Sequence, residues 1–299
     1  MKPERVDLPR PQDGVVHKSG ICRRIIIFTD LDGTLLDGSY SYQSADQALH
    51  IIRERGIPLV ICSSKTRAEI EYYQRKMGIA GPFISENGGA VFIPRDYFSP
   101  ETEGAVRYDG SDDIFRIIRL GAPYRDLRSV LTRLRERGFN VRGFGDMSVP
   151  EISQLTKLPE NEAELASLRE FDEPFVFEGN ADEAGKLEET VRSVGFQLGR
   201  ADFFHIMGHR SDKGRAVSIV TGMYRREFGE VLTVALGDGA NDLPMLREAD
   251  IPVVVQRPDG SYYTGFEQDT FSRAEGVGPH GWNNAVMKIL SSPVCRALQ

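Results

Sequence analysis

The sequence predicts an α/β protein with a doubly wound, Rossmann-like parallel-sheet core and an inserted α+β cap domain. Short apolar segments alternate with capped helices near both ends of the 299-residue chain, which is the pattern of a parallel sheet covered on both faces. Strands and helices of mixed length lie between these two parts. We therefore expect an N-terminal extension over residues 1–24, a core formed by residues 25–93 and 210–299, and a cap over residues 94–209.

The first part of the core alternates strand and helix. The predicted strands cover residues 25–29, 57–62, 82–85 and 90–93. Capping boxes that start at Ser44 and Thr66 are expected to open the helices between the first three strands. This order predicts that the first three strands belong to one parallel sheet.

The cap and the second part of the core show different patterns. In the cap, strands are predicted over residues 139–144, 175–178, 196–198 and 203–207, and helices over residues 124–137, 155–169 with a break near Pro159, and 180–195. In the second part of the core, helices are predicted over residues 213–228 and 282–290, and strands over residues 231–236 and 251–255. The doubly wound pattern therefore resumes after the cap.

Composition limits the possible partners. The formal net charge of -7 argues against nucleic acid or an anionic membrane as a partner, because both require a basic face. A small anionic phosphorylated substrate stays possible, since a few local cations suffice to bind it. Cys22, Cys62 and Cys295 have neither disulfide nor zinc-site spacing, which favours a cytoplasmic location. We expect no signal peptide and no membrane span, and the sequence does not define the oligomeric state.

Two carboxylates follow the first strand. Asp30 and Asp32 are two residues apart, so a strand-like backbone points both side chains the same way, and Gly33 permits a sharp turn after them. Carboxylates that lie this close repel each other, and a hard divalent cation with oxygen ligands relieves the repulsion. Two acids at a strand end indicate metal binding at most, and our working interpretation of this stretch is a Mg²⁺-dependent phosphoryl-transfer site for which the rest of the chain must supply the other parts.

Three further polar groups follow predicted strands or open a helix. They are Ser63, Lys213, and Asp238 with Asn241 and Asp242. Each group has a simpler alternative: the acidic pair could lie in an exposed loop, Lys213 could be a solvated lysine, and the segment around Asp238 could be an ordinary turn. Their order along the chain and their positions at strand ends favour a shared site. The five histidines do not cluster at ligand spacing, so we expect structural or solvent-facing roles for them.

Together these groups resemble the haloacid dehalogenase superfamily of phosphatases. The resemblance implies that Asp30 is a nucleophile that forms an aspartyl-phosphate, and that Asp32 is the general acid and base. It also implies that Ser63 and Lys213 bind the phosphate. Mg²⁺ would be held by Asp30, by the backbone carbonyl of Asp32 and by Asp238, while Asp242 and Asn241 would orient Lys213 and metal-bound waters.

Several longer stretches resemble the mannosyl-3-phosphoglycerate phosphatase family. They cover residues 60–66, 85–89, 143–147, 169–175, 212–214, 235–245 and 276–282. The resemblance implies hydrolysis of the phosphate ester of a glycosyl-3-phosphoglycerate. The candidate substrate-binding residues are Ser64, Lys65, Glu86, Asn87, Gly88, Arg142, Arg169 and Asn241.

One residue departs from the family pattern. Asp202 stands where the family has an arginine, so an altered substrate preference is expected. Two other functions stay open at this point: a related sugar-phosphate phosphatase, and a phospho-acceptor signalling domain. A panel of phosphorylated substrates would distinguish the first, and a long-lived phosphorylated Asp30 without turnover would indicate the second.

Overall fold

The computed structural model describes residues 24–200, 203–267 and 269–292. Its strands, in chain order, are β1 (Arg24–Thr29), β2 (Leu59–Ile61), β3 (Phe83–Ser85), β4 (Ala90–Pro94), β5 (Gly110–Ser111), β6 (Phe115–Arg119), β7 (Val141–Gly143), β8 (Asp172–Phe177), β9 (Phe196–Arg200), β10 (Phe204–Gly208), β11 (Val231–Gly237), β12 (Ile251–Gln256) and β13 (Ser272–Val277). Its helices are α1 (Asp46–Glu54), α2 (Arg67–Met77), α3 (Pro100–Gly104), α4 (Tyr124–Glu136), α5 (Val149–Thr156), α6 (Glu160–Ser167), α7 (Ala181–Ser193), α8 (Lys213–Phe228), α9 (Leu243–Glu248) and α10 (Gly278–Ser291).

A five-stranded parallel sheet forms the centre of the fold. Its strand order is β13-β12-β11-β1-β2, so β1 lies between β11 and β2. Alternate residues of β1 face opposite sides: Ile25 and Ile27 pack with α1 and α10, and Ile26 and Phe28 pack with α8. Burying each such side chain contributes about 1.5–3 kcal/mol to stability. Helices on both faces confirm the doubly wound fold, and all carboxyl ends of the strands meet at one edge of the sheet.

A second sheet differs from the sequence prediction. Strand β3 was expected to extend the parallel sheet, and this expectation is wrong: β3 belongs to an antiparallel sheet of order β3-β4-β6-β5. A single parallel bridge between Cys62 and Ile84 links it to the end of β2. The turn from β3 to β4 spans only residues 86–89, which is too short for a parallel crossover, so the chain returns antiparallel.

The third sheet is antiparallel, with strand order β7-β8-β10-β9. Helices α4 and α7 cover one of its faces through an apolar cluster that includes Leu131, Phe175, Leu187 and Ile206. The predicted helix with a break near Pro159 is two helices, α5 and α6. This part of the chain therefore has the expected α+β composition.

Helices α5 and α6 attach the third sheet to the core. The phenol hydroxyls of Tyr72 and Tyr73 on α2 donate to the Glu162 carboxylate, at 3.1 and 2.7 Å. The Thr66 hydroxyl donates to the Leu165 carbonyl at 2.9 Å. These contacts bring the third sheet close to the carboxyl edge of the parallel sheet.

Of the two capping boxes predicted for the first helices of the core, one is present and the other is absent. Thr66 and Glu69 form the expected capping box of α2. The box expected at Ser44 is wrong, because α1 begins at Asp46 after a 3-10 turn, with Ala45 as its N-cap. In the described ranges, no helix is long and apolar enough to cross a membrane.

Candidate active site

Asp30 is the first residue after β1 and lies at the carboxyl edge of the parallel sheet. Its side chain is almost fully buried, and its Oδ1 accepts a hydrogen bond from Lys213 Nζ at 2.8 Å. Burial raises the pKa of Asp30, Lys213 lowers it, and the nearby Asp242 and Asp238 carboxylates raise it further. The net shift is upward, which means that the site destabilises the charged form of Asp30. A bound cation would stabilise that charged form.

Lys213 lies at the start of α8 and is buried to the same degree as the hydrophobic core. Its ammonium group donates to Asp30 at 2.8 Å and to Asp242 Oδ1 at 2.6 Å. Burial opposes the charged form, but the two carboxylates raise the pKa of Lys213 well above its ordinary value. Lys213 therefore stays protonated, and it is positioned to neutralise an oxyanion bound beside Asp30.

Asp238 and Asp242 lie in the loop and short 3-10 turn that follow β11. Asp242 Oδ2 accepts from the backbone N–H groups of Asp238 and Gly239, each at 3.0 Å. Asp238 Oδ1 accepts from the Thr34 hydroxyl at 2.9 Å. Burial and then the charge of Asp242 raise the pKa of Asp238 to about 7. The hydrogen-bonded loop thus holds the Asp238 carboxylate near Asp30, in surroundings that disfavour its charged form.

The donor set fits a divalent cation. Ligand oxygens of Asp30, Asp238 and Asp242 all lie within 4.8 Å of one another, and Lys213 is in direct contact with two of these carboxylates. Three carboxylates beside one ammonium leave an excess of negative charge, and hard divalent cations prefer oxygen ligands. Gly33 keeps this space open, because a Cβ there would lie 2.8 Å from Asp238 Oδ2.

Asp32 lies beside this cluster, and its carboxylate pairs with a second lysine. Lys65 Nζ lies 3.1 Å from Asp32 Oδ1 and 3.3 Å from Glu69 Oε1. The Asp32 side chain is 38% exposed, whereas Lys65 is buried. The Asp32 side chain is therefore more exposed than those of Asp30 and Asp242, which suits a group that exchanges protons.

Ser63 and Ser64 follow β2 at the same edge of the sheet. The Ser63 side chain is fully buried, and its Oγ accepts from the Lys65 backbone N–H at 3.3 Å. The Ser64 carbonyl accepts from Arg169 at 3.0 Å. The structure thus brings both serines to the boundary between the parallel sheet and the segment that leads into β8.

Glu86, Asn87 and Gly88 form a 3-10 turn in which all three residues have positive φ. Asn87 Nδ2 donates to Asp172 Oδ2 at 3.0 Å, and its Oδ1 accepts from Asn241 Nδ2 at 3.2 Å. A Cβ at Gly88 would overlap the backbone of Asp212, so only glycine allows this turn to lie against the start of α8. Through Asn87, the turn links the loop that follows β11 to strand β8.

Arg169 and Arg142 occupy very different positions. Arg169 is buried, and its NH2 group lies 3.1 Å from Asp172 Oδ2. Arg142 is exposed and pairs with Glu151 of α5. The structure therefore brings Arg169, but not Arg142, into contact with the residues around Asn87.

Asp172 and His205 are site residues that the sequence reasoning missed. His205 Nδ1 lies 2.9 Å from Asp172 Oδ2, and both side chains are buried. The two residues are 33 positions apart and meet because β8 and β10 are antiparallel neighbours. No local spacing pattern in the sequence predicts a contact between residues so far apart. His205 is buried rather than solvent-facing, and it lines a cavity together with Lys213.

The buried Glu86 gives a prediction for stability against pH. Burial raises the pKa of Glu86 from 4.5 to about 7, although Arg169 and two backbone N–H groups oppose this. The stabilising effect of the protonated form is complete below pH 4.5 and is lost as the pH rises through about 7, by roughly 3 kcal/mol. Glu86→Gln should remove this loss. From pH 4.5 to about 7, the free energy of unfolding of the Glu86→Gln variant in urea should therefore increase relative to that of the wild type. Parallel profiles would contradict the prediction, and Glu101→Gln on the exposed side of α3 is the control.

Comparisons with known proteins show the family to which the chain belongs. Residues 27–118 and 159–259 match the family described as haloacid dehalogenase-like hydrolase. A glucosyl-3-phosphoglycerate/mannosyl-3-phosphoglycerate phosphatase of Methanococcoides burtonii is 46% identical, over 89% of this chain and 97% of that protein. A mannosyl-3-phosphoglycerate phosphatase of Pyrococcus furiosus is 35% identical, over 77% of this chain and 90% of that protein.

Solved structures show the same fold at low identity. Thermoplasma acidophilum 0175 superposes with a TM-score of 0.62 at 18% identity, covering 89% of this chain and 97% of that one. A haloacid dehalogenase-like hydrolase from Bacteroides thetaiotaomicron also gives a TM-score of 0.62, at 19% identity, covering 89% and 99% of the two chains.

The fold and the sequence matches define the class: the chain is a phosphatase of the haloacid dehalogenase-like hydrolases. It belongs to the family of the glucosyl-3-phosphoglycerate/mannosyl-3-phosphoglycerate phosphatases. Both resemblances inferred from the sequence are confirmed.

Proposed function

We propose that this phosphatase is Mg²⁺-dependent and hydrolyses glucosyl-3-phosphoglycerate and mannosyl-3-phosphoglycerate. The observation that carries the proposal is the buried cluster of Asp30, Lys213, Asp238 and Asp242, combined with 46% identity to a relative that is named for these two substrates. A small phosphorylated substrate is consistent with the excess of carboxylates, because the cation they would hold attracts phosphate.

The proposed chemistry begins at Asp30. Its carboxylate attacks phosphorus, forms an aspartyl-phosphate and displaces the glycerate oxygen, to which Asp32 gives a proton. Asp32 then takes a proton from the water that hydrolyses the intermediate. Lys213 and Ser63 hold the transferring oxygens. Asp30, Asp238, Asp242 and the Asp32 backbone carbonyl would hold Mg²⁺, which would supply positive charge against the developing negative charge of the phosphoryl group.

We further propose that the third sheet with α4 to α7 is a cap that recognises the rest of the substrate. Strand β6 pairs with β4 along residues 115–119, which supports a start of the cap after this pairing rather than at the expected residue 94. The core then includes residues 25–119, and the cap continues to about residue 209. The extension over residues 1–24 lies outside the described residues except for Arg24.

Three expectations from the sequence stay predictions: the effect of Asp202, the cytoplasmic location and the absence of nucleic-acid partners. Asp202, the departure from the family pattern, lies outside the described residues. Its effect on substrate preference is therefore a matter for kinetics. The expected cytoplasmic location and the absence of nucleic-acid partners likewise rest on composition.

Phosphate release from a substrate panel tests the proposed function. We expect kcat/KM for glucosyl- and mannosyl-3-phosphoglycerate to exceed that for glucose 6-phosphate and mannose 6-phosphate by about 100-fold or more. The ratio between the two glycosyl-3-phosphoglycerates measures the preference that Asp202 is expected to alter. Equal efficiency across the whole panel would contradict the proposal and favour a general sugar-phosphate phosphatase.

Removal of the metal should stop turnover reversibly. EDTA should abolish phosphate release and Mg²⁺ should restore it, because the carboxylates cannot bind a phosphate dianion without a cation. Asp238→Asn should raise the Mg²⁺ concentration for half-maximal activity by about tenfold or more. It should also reduce the Mg²⁺-induced rise in melting temperature, because only the folded state binds the ion. Full activity in EDTA would contradict this prediction.

A further inference from the structure

A cavity lies between the third sheet and the edge of the core. Its volume is about 260 Å³, and its walls come from both parts: His205, Gly199 and Arg200 from β9 and β10, and Lys213 and Asn241 from the core. The cavity therefore adjoins the ammonium group that contacts Asp30. A substrate phosphate at Asp30 would place its organic part in this space.

Asp172 holds His205 at the cavity wall. The fully buried Asp172 carboxylate accepts hydrogen bonds from Asn87 Nδ2 at 3.0 Å and His205 Nδ1 at 2.9 Å, and it forms an ion pair with Arg169 Nη2 at 3.1 Å. Burial raises the pKa of Asp172, but His205 and Arg169 together lower it by more than burial raises it, so the net shift is downward. Asp172 is therefore an ionised acceptor that fixes the orientation of the imidazole ring through Nδ1.

The other ring nitrogen of His205, Nε2, is not engaged by Asp172. In the part of the chain that the structure describes, Nε2 has no hydrogen-bond partner, although His205 is only 6% exposed as a residue and lines the cavity. Gly199 lies opposite His205 on β9. A Cβ on Gly199 would lie 2.7 Å from Met207 Cε and 3.4 Å from His205 Cβ, so glycine leaves this wall open.

The position of His205 is tied to the phosphate site. Asn87 joins Asp172 to Asn241, with hydrogen bonds of 3.0 and 3.2 Å, and Asn241 precedes Asp242, the partner of Lys213. Arg200, next to His205 on the same wall, stacks over Phe204 at 4.7 Å. The cavity thus has Lys213 at the phosphate end, and Arg200 and His205 at the cap end.

We infer that His205, held by Asp172, binds the carboxylate of the glycerate part of the substrate through Nε2. This inference rests on the proposed function, in which the substrate carries two anions. The phosphate is assigned to Asp30, Ser63 and Lys213, and the carboxylate requires a second donor at a fixed distance from it. When both ring nitrogens carry protons, Nδ1 donates to the Asp172 carboxylate and Nε2 offers a single N–H, for which an oxyanion is the matching partner.

The test compares two substrates that differ in this carboxylate. The first is glucosyl-3-phosphoglycerate, and the second is glucosylglycerol 3-phosphate, in which a hydroxymethyl group replaces the carboxylate. His205→Gln should lower kcat/KM for the acid by about 10- to 100-fold, mainly through KM, as for the loss of a hydrogen bond to a charged group. For the alcohol the change should stay within about threefold. Asp172→Asn should show a smaller loss with the same selectivity.

Each outcome decides the inference. A selective loss for the acid supports it, whereas an equal loss for both substrates indicates a structural role and overturns it. Unchanged kinetics for both substrates also overturn it. His209→Gln, which changes an exposed histidine outside this cavity, should behave like the wild type. If the wild-type enzyme hydrolyses simple sugar phosphates but neither glucosyl substrate, the proposed function itself fails, which is a distinct result.

Discussion

Replacement of Asp30 by asparagine is expected to abolish phosphate release while the protein stays folded. Loss of a nucleophile typically costs several orders of magnitude in kcat, and we expect a loss of about 10⁴-fold or more. The fold should tolerate the change, because burial and the Asp242 and Asp238 carboxylates make the Asp30 charge costly. Lys213 keeps its 2.6 Å contact with Asp242. The free energy of unfolding should therefore change by no more than about 1 kcal/mol.

The measurement combines phosphate release with urea unfolding in the presence of EDTA. Asp46→Asn, at an exposed position at the start of α1, is a matched control and should keep wild-type activity and stability. Activity within about tenfold of the wild type in the Asp30→Asn protein would remove Asp30 from the role of nucleophile. A loss of folding would instead show that the Asp30 to Lys213 pair is primarily structural.

Lys213→Met is expected to have a large effect on both stability and activity. The substitution leaves the buried Asp30 and Asp242 carboxylates without their shared cation. Breaking a buried ion pair in this way costs about 3–5 kcal/mol, most of it from the uncompensated charge. The variant should also lose about 10²- to 10³-fold in kcat, because a fixed donor to the transferring phosphate is gone. Urea unfolding in EDTA and phosphate release with saturating Mg²⁺ measure the two effects.

A second substitution separates these effects. Adding Asp242→Asn to Lys213→Met removes one of the uncompensated charges, so part of the lost stability should return without any return of activity. Lys186→Met, which changes an exposed lysine of α7, should leave both quantities unchanged. If the double variant were as unstable as the single one, the charge argument for Lys213 would be wrong.

The core site was predictable from the sequence because its residues follow strands of one parallel sheet. Asp30, Ser63 and Asp238 each come directly or almost directly after a buried apolar run, and parallel strands bring such ends to one edge. The order of the chain then suffices to place the residues together. Asp30 contacts Lys213, and ligand oxygens of Asp30 and Asp238 lie within 4.8 Å of each other, whereas the catalytic roles of all three residues stay predictions.

Pairings between distant or weakly patterned strands were not predictable in the same way. The sequence does not show that β3 leaves the parallel sheet, because three apolar residues with no distinctive alternation fit either sheet. Strands β5 and β6 were missed because one has only two residues and the other mixes Arg116 and Arg119 with apolar residues. The contact of Asp172 with His205 depends on the register of β8 and β10, which local patterns do not encode.

The cap also shows the limit of reasoning from residue type. Arg169 lies in a stretch that resembles the family, Arg142 directly precedes another, and each was a candidate for binding the substrate. Only Arg169 contacts the network of Glu86 and Asp172, while Arg142 pairs with Glu151 at the surface. Which arginine turns inward depends on tertiary packing rather than on sequence spacing.

Chemical trapping of the intermediate tests the central claim most directly. The wild-type enzyme is mixed with Mg²⁺ and glucosyl-3-phosphoglycerate, quenched during turnover and treated with borohydride, which reduces an acyl phosphate to an alcohol. Peptide mass spectrometry then locates the reduced side chain. We predict reduction at Asp30, dependent on both Mg²⁺ and substrate and absent from the Asp30→Asn protein. Reduction at another aspartate, or none at Asp30 while phosphate is being released, would contradict the account.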